Sequence, residues 1–458
     1  MPIANTRRPT GTRSAAALLA VAVVALLAAC GGSGEGGGGI GFADGQESDP
    51  VAVDFPIAYV RRVIPVDDDG MTLDVGESDV RELVTFDVGA DLFVRDRASP
   101  SAPEINVTEA VTMGLGDVQD LDMFWDGQRV VFAMRGPLLE NVDEEEQPTW
   151  NIWEYDIVNA VLRRLIASDI TAEAGHDVAP AYLPDGRIIF TSTRQRQSRA
   201  LLLDEGKPQF AALDEDNNEP AFVLHVMNAD GNDIRQVSFN QSHDLDPAVL
   251  ANGQVVFSRW DNAESVNEIN LYRMNPDGSD LELLYGSESH DTGVDESEVQ
   301  FLAPRQMPDG RLATLIMPFE PTNFGADVVL IDVDNFVNNE QPIAINAGAM
   351  SGVAQAKATV NDVRTDGQPS PGGVYSSVYP LFDGTDRLLT SWSQCRLIEV
   401  ESVDGQDVES IVPCTDERLA TGTATVAPPI FGLWIYDRVT DTQLPIVAPE
   451  EGIIYTEI

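Results

Sequence analysis

Three of the four histidines in this 458-residue chain directly precede an aspartate. The pairs are His176-Asp177, His243-Asp244 and His290-Asp291. Imidazole and carboxylate groups bind divalent transition metals, so His176, His243 and His290 are candidate metal ligands. The alternative is structural, with each pair at the start of a strand and hydrogen-bonded to a neighbouring part of the fold. The fourth histidine, His225, lies inside a strand pattern and is expected to be packed in the interior.

The first two pairs open a repeated segment. The stretch "HDVAPAYLPDGRIIFTSTR" from His176 returns as "HDLDPAVLANGQVVFSRWD" from His243. Each copy predicts a strand, an Asp-Gly or Asn-Gly turn and a second strand rich in Ile, Val and Phe. Weaker copies include "LDMFWDGQRVVFAM", "PRQMPDGRLATLIM" and "VYPLFDGTDRLLTSW". The turn glycines of the five copies are Gly127, Gly186, Gly253, Gly310 and Gly384.

A second strand pair follows each copy, so that every repeat supplies four antiparallel strands. This pattern predicts an all-β chain that folds as a β-propeller of four-stranded antiparallel blades around a central channel. Five repeats and an irregular first blade from residues 51–108 give six blades, and residues 451–458 are expected to pair with that first blade. Seven blades is the alternative, because residues 346–374 and 395–420 are long and unassigned.

Two groups of segments resemble known families. The segments "PDGRIIFTSTR" and "LHVMNADGNDIRQVS" resemble the TolB-like and WD-like β-propeller repeats. The segments "FTSTRQ", "MNPDGSDLELLYGSESHDTG" and "VQFLAPRQMPDGRLATL" are similar to the propeller middle domain of hydrazine synthase alpha subunits. The resemblance implies the fold only. The chemistry of that enzyme is carried by haem c, and the sequence contains no CxxCH motif, so no haem is expected.

The propeller geometry predicts one loop-rich binding face. The first two His-Asp pairs start innermost strands and therefore lie on the same face. Arg194, Arg259 and the long insertion at residues 195–220 follow second strands that return to that face. His290-Asp291 stands farther from its turn and is expected on the same face at a non-equivalent point. Binding residues concentrate on loops held by a rigid scaffold, so this face is the candidate binding face.

The N-terminus predicts export and lipid anchoring. The apolar run "AAALLAVAVVALLAA" has the length of a signal-peptide core, and it ends at "LAAC", which resembles the lipobox of bacterial lipoproteins. The resemblance implies cleavage before Cys30 and acylation of its thiol. The predicted organisation is a signal peptide at 1–29, an acylated cysteine and Gly-rich tether at 30–50, and one propeller domain at 51–458. The expected location is the bacterial cell envelope, with Gly31 favouring the outer membrane.

The remaining cysteines are Cys395 and Cys414, an even pair in an oxidising compartment, and they are expected to form a disulfide. The net charge of −47 disfavours nucleic acid and anionic lipid surfaces, so membrane contact is expected through the anchor only. No GxSxG, HExxH or phosphate-loop motif is present. We therefore predict a lipoprotein that binds an envelope protein or small ligand. The alternative is a metal-dependent lyase or hydrolase that uses the histidines near the channel.

Overall fold

Six four-stranded antiparallel sheets contain most strands of the computed structural model. The structure describes residues 52–64, 88–143, 146–208, 212–213, 220–263, 266–319, 325–403, 406–421 and 425–458. Cys30 and the leader therefore lie outside the described residues, and their predicted processing stays a prediction. No helix in the described ranges has the length and apolar character needed to cross a membrane.

The six sheets follow the chain in order. Sheet 1 comprises β1 (Ile57–Val63), β2 (Asp91–Arg95), β3 (Glu104–Asn106) and β29 (Ile453–Tyr455). Sheet 2 comprises β4 (Asp117–Met123), β5 (Arg129–Arg135), β6 (Asn151–Asp156) and β7 (Val161–Arg164). Sheet 3 comprises β8 (Asp177–Tyr182), β9 (Ile188–Ser192), β10 (Val223–Met227) and β11 (Arg235–Gln236). Sheet 4 comprises β12 (Asp244–Val249), β13 (Val255–Ala263), β14 (Val266–Met274) and β15 (Glu282–Tyr285).

Sheet 5 takes its fourth strand, β21, from a segment that the repeat pattern leaves unassigned. Sheet 5 comprises β16 (Gln300–Gln306), β17 (Leu312–Met317), β18 (Asp327–Ile331) and β21 (Gln355–Lys357). Sheet 6 comprises β22 (Val374–Pro380), β23 (Arg387–Ser393), β27 (Phe431–Asp437) and β28 (Thr442–Val447). Among the described residues, the helical segments include α1 (Glu109–Thr112), α2 (Asp169–Ala172), α3 (Arg196–Asp204), α4 (Asp416–Leu419) and the 3₁₀ turn Val294–Glu296.

The first two strands of each repeat meet at the turns that the sequence predicts. In sheet 3, Tyr182 pairs with Ile188 on either side of Gly186. Gly186 has a φ of +86°, a left-handed conformation that glycine adopts without steric cost. The turn therefore requires the glycine that marks every copy of the repeat.

Apolar clusters fill the spaces between neighbouring sheets. One cluster joins Val60 of sheet 1 to Phe132 of sheet 2, and another joins Tyr59 of sheet 1 to Leu433 of sheet 6. Contacts run from each sheet to the next, and β27 of sheet 6 contacts β29 of sheet 1. Sheets that pack face to face in sequence are the arrangement of a β-propeller, and the predicted fold is confirmed. The described residues form six such sheets, while the number of blades stays a prediction.

The first sheet is completed by a strand from the distant end of the chain. Strand β29 pairs with β1, with Arg61 opposite Tyr455 and Val63 opposite Ile453. The carbonyl of Tyr455 also accepts hydrogen bonds from the hydroxyls of Ser376, at 2.6 Å, and Ser391 in sheet 6. The pairing predicted for residues 451–458 is confirmed, and it links sheets 1 and 6.

Two smaller sheets are present in addition to the six four-stranded sheets. One comprises β24 (Arg396–Val403), β25 (Gln406–Pro413) and β26 (Thr425–Val426), and the other comprises β19 (Phe336–Asn338) and β20 (Gln341–Pro342). The predicted Cys395–Cys414 disulfide is present at the base of the β24–β25 hairpin, where the two Cα atoms are 5.5 Å apart. Within the described ranges, residues 346–374 and 395–420 do not form a further four-stranded sheet.

Candidate functional site

The first two His-Asp pairs start β8 and β12, and their imidazoles bind the backbone of the preceding sheet. His176 Nδ1 accepts the Trp150 N–H at 3.4 Å, and His243 Nδ1 accepts the Phe222 N–H at 3.0 Å. Burial lowers the pKa of each histidine to about 4, so both rings are neutral at pH 7. This geometry favours the structural interpretation of these two histidines, because each ring joins the start of an innermost strand to the backbone of the preceding sheet.

Asp177 and Arg194 form a buried ion pair. Asp177 accepts hydrogen bonds from Arg194 Nε at 2.8 Å, from Arg194 Nη2 and from the Ser192 hydroxyl at 2.7 Å. Arg194 also donates to the carbonyls of Thr171 and Ala172 at the end of α2. Burial raises the pKa of Asp177, and the charge of Arg194 opposes that rise. Both side chains therefore make hydrogen bonds within the protein.

The equivalent pair in sheet 4 is looser. Arg259 Nη1 lies 3.6 Å from Asp244 Oδ1, and its Nε lies 3.7 Å from Asp261. Its guanidinium also lies over the Tyr272 ring, 5.3 Å from the centroid. Asp244 is fully buried and accepts a hydrogen bond from Asn240 at 3.2 Å. Burial raises the pKa of Asp244 to about 6.

The third pair is held separately from the first two. His290 Nδ1 faces the Val299 carbonyl at 2.6 Å and its Nε2 faces Asn270 Oδ1 at 3.0 Å, whereas Asp291 is exposed. Among the described residues, no three His, Cys, Asp or Glu side chains are placed to hold a metal ion. The structure does not bring His176, His243 and His290 together as metal ligands. Each imidazole is instead hydrogen-bonded separately to backbone or amide groups. His225 is buried, as expected for a packed residue.

The central channel is lined by carboxylates that are not among the candidate residues predicted from sequence. Asp120 and Asp246 occupy β-bulges of the innermost strands, with φ values of +58° and +48°. Asp120 Oδ2 accepts the Ala179 N–H at 2.8 Å, and Asp246 Oδ2 accepts the Ala303 N–H at 3.0 Å. Each carboxylate thus binds the bulge of the next sheet.

Burial shifts the protonation of these groups. It raises the pKa of Asp120 to about 7, with the charge of Asp246 adding to the rise, and that of Glu457 to about 8. These residues border two small cavities of about 210 and 140 Å³ in the channel. The channel interior therefore carries fewer negative charges at pH 7 than its composition indicates.

A larger cavity of about 960 Å³ opens at the turn end of the innermost strands, opposite to the His-Asp end. We name it the funnel. Its rim carries the exposed aromatic residues Phe55, Trp125 and Phe382, and its deeper wall includes Asp122 and Arg305. Arg305 also borders the 140 Å³ cavity, so it lies where the funnel meets the channel interior. Concave apolar cavities with a few polar groups are typical of ligand sites.

Part of the funnel wall is fixed by packing and charge. The Arg129 guanidinium lies 3.8 Å from the centroid of Phe124, and Tyr182 meets the same ring edge-on at 5.0 Å. The Tyr182 hydroxyl donates to Glu154 at 2.9 Å, and Glu154 lies 3.5 Å from Arg129. Because four side chains constrain one another, this wall is preformed.

Comparison with known proteins identifies the fold and not the activity. No family model matches the chain, and no curated protein matches it. Among solved structures, the chain is similar to hydrazine synthase of Kuenenia stuttgartiensis, with a TM-score of 0.56 and 15% identity over 89% of this chain and 46% of that one. The chain thus spans less than half of the hydrazine synthase chain. At this identity the likeness shows a shared fold, so the predicted resemblance to the hydrazine synthase propeller is confirmed.

Two further likenesses are weaker. Oligogalacturonate lyase of Vibrio parahaemolyticus has a TM-score of 0.38 and 10% identity over 86% of this chain and 79% of that one. A putative TolB from Agrobacterium tumefaciens has a TM-score of 0.24 and 16% identity over 50% of this chain and 88% of that one. Neither TM-score is high enough to bear on function.

The repeat predicts the Asp-Gly turns as connections between strands, and that prediction alone does not indicate a cavity beside them. The residue before the Asp-Gly dipeptide is proline in two of the turns, Pro184 and Pro308, but it is aromatic in two others, Trp125 and Phe382. Exposed aromatic residues at equivalent turn positions are a signal that the sequence contained. Arg305 gave no signal, because only the bulge register places it in the channel.

Proposed function

We propose that this protein is an envelope lipoprotein whose propeller binds a ligand with an apolar body in the funnel. The observation that carries the proposal is the 960 Å³ cavity with three exposed aromatic residues at its rim. Single exposed aromatic residues are common, but aromatic residues grouped around the mouth of a concave cavity are typical of ligand sites. Most of the candidate residues on the loop-rich face are hydrogen-bonded or ion-paired within the protein. This favours the opposite face, where the Asp-Gly turns and the funnel lie, as the binding face.

The ligand site can be tested with N-phenyl-1-naphthylamine, a neutral aromatic probe that fluoresces in apolar surroundings. We expect saturable binding near one equivalent to the propeller. The double variant Trp125→Ala, Phe382→Ala should weaken binding at least about tenfold, since each tenfold corresponds to about 1.4 kcal/mol and aromatic contacts supply that much.

Phe239→Ala is the matched control. Phe239 is an aromatic residue exposed to a similar degree, 47%, but its carbonyl accepts a hydrogen bond from Arg259 at the His-Asp end of sheet 4. Its removal should leave the dissociation constant unchanged. Absence of saturable binding to the unaltered protein, or equal binding by the double variant, would reject the funnel as the site.

The anchor follows from the lipobox ending at Cys30, and it requires its own test. We expect the protein to fractionate with membranes and to incorporate labelled fatty acid. Cys30→Ser should move it to the soluble envelope fraction and abolish the label, because the thiol that carries the lipid is lost. Cys395→Ser is the control and should leave both results unchanged. Membrane fractionation of Cys30→Ser identical to the parent protein would contradict the anchor.

A further inference from the structure

Arg305 is the one basic side chain among the described residues that line the funnel. It follows the bulge of β16, at the register position that Asp122 occupies in β4. The corresponding residues of β8 and β12 are Ala181 and Ala248. A single cation therefore stands at this level of the channel, on the boundary between the funnel and the interior.

In the part of the chain that the structure describes, Arg305 makes no ion pair and no hydrogen bond, and its Nη1 is buried. Two other arginines with little exposure do have a carboxylate: Arg438 lies 2.7 Å from Asp386, and Arg396 pairs with Glu451. The chain has 75 acidic and 28 basic residues, so a counter-ion for one arginine is easily supplied. Arg305 is half-buried, and its Nη1 lacks the acceptor that a buried polar atom normally has, which is costly.

The nearby carboxylates do not fill this role because they are directed elsewhere. Asp122 Oδ2 accepts the Tyr182 N–H at 2.8 Å, and Asp120 and Asp246 bind the bulges of the next sheets. Burial raises the pKa of Asp122 to about 6, and the charge of Arg305 opposes the rise. Arg305 thus acts on these acids through space, and no described group accepts a hydrogen bond from its guanidinium. A guanidinium presents a planar set of donors that matches a carboxylate or sulfonate.

We propose that the funnel selects organic anions, with Arg305 binding the anionic group and the aromatic rim covering an apolar body. This inference rests on the proposed function, because it uses the same cavity. A volume of about 960 Å³ accommodates a ligand of the size of a small drug. The net charge of −47 does not exclude anions, since fields from distant surface charges are screened within about 8 Å at physiological salt.

The test compares two probes with one ring skeleton. 1-Anilinonaphthalene-8-sulfonate carries a sulfonate, and N-phenyl-1-naphthylamine lacks it. We expect Arg305→Gln to weaken binding of the sulfonate at least about tenfold, because a charge-assisted hydrogen bond is lost, and to change binding of the neutral probe less than twofold. Arg273→Gln, in the exposed Arg273–Glu282 pair of sheet 4, is the matched control and should alter neither.

The two proposals fail in different ways. If the unaltered protein binds neither probe, the funnel is not a ligand site. If the neutral probe binds but Arg305→Gln leaves the ratio of the two dissociation constants unchanged, selection of anions by Arg305 is wrong. The proposal that the funnel is a ligand site is then retained. Should Arg305→Gln not fold, Arg305→Lys retains the charge without the planar donors. It should weaken the sulfonate at least about threefold and leave the neutral probe unchanged, and equal effects on both would overturn the inference.

Discussion

Replacing Arg194 with methionine is expected to lower the free energy of unfolding by about 3–5 kcal/mol. Arg194 and Asp177 are both buried, and the methionine leaves the Asp177 carboxylate without its counter-ion. The bonds from Arg194 to the carbonyls of Thr171 and Ala172 are lost as well. Urea unfolding followed by tryptophan fluorescence measures the change. Binding of the neutral probe by the folded variant should be unaffected, since the pair lies at the end of β8 opposite to the funnel.

The control for this prediction is Arg235→Met. Arg235 pairs with Asp233 on the surface, where ion pairs contribute about 0–1 kcal/mol. A second comparison uses Asp177→Asn together with Arg194→Met, which removes both charges. The double variant should be destabilised by less than the sum of the two single variants, because the penalty for a lone buried charge is absent. A fall in the free energy of unfolding below about 1 kcal/mol for Arg194→Met would show that the Asp177–Arg194 pair contributes little to joining β8 to α2.

Tyr455→Ala is the second change with a large expected effect. Tyr455 is 2% exposed, meets the Tyr59 ring edge-on with centroids 5.6 Å apart, and lies on the strand that completes sheet 1. Removing a buried aromatic ring leaves a cavity and costs about 3–5 kcal/mol. We expect a corresponding fall in the urea midpoint at an unchanged slope.

Tyr455→Phe separates the ring from the hydroxyl. It preserves the ring contacts with Tyr59, so we expect a loss below about 1 kcal/mol. A similar loss for both variants would assign the effect to the hydroxyl, and a small loss for Tyr455→Ala would mean that β29 contributes little to the joining of sheets 1 and 6.

The repeat made the scaffold predictable from sequence. Gly186 and its equivalents fix the turns, and the alternation of turn and strand pair then places the sheets. Cys395 and Cys414 were predictable because only two thiols remain for an oxidising compartment. Each of these inferences depends on what the repeats share or on simple counting, and the structure confirms them.

The candidate site was less predictable because it depends on where the repeats differ. His176 and His243 are repeated, but a residue that recurs at equivalent strand starts and binds the neighbouring backbone is often structural. Arg305 occurs once, and its place in the channel follows from a bulge that shifts the register by a residue, a local distortion that strand periodicity does not encode. Trp125 and Phe382 at the rim occupy a turn position that the other repeats fill with Pro or Ala.

The pairing of β1 with β29 has a consequence for the order of folding. Arg61 and Glu450, which form an ion pair beside this junction, are 389 residues apart in the chain. During synthesis, β1 and β2 emerge early, but the inner edge of their sheet has no partner until residues 453–455 follow. Contacts over such separations slow folding, and an unpaired edge can recruit strands from other chains. We therefore expect the chain to be prone to strand pairing with other chains until β29 completes sheet 1.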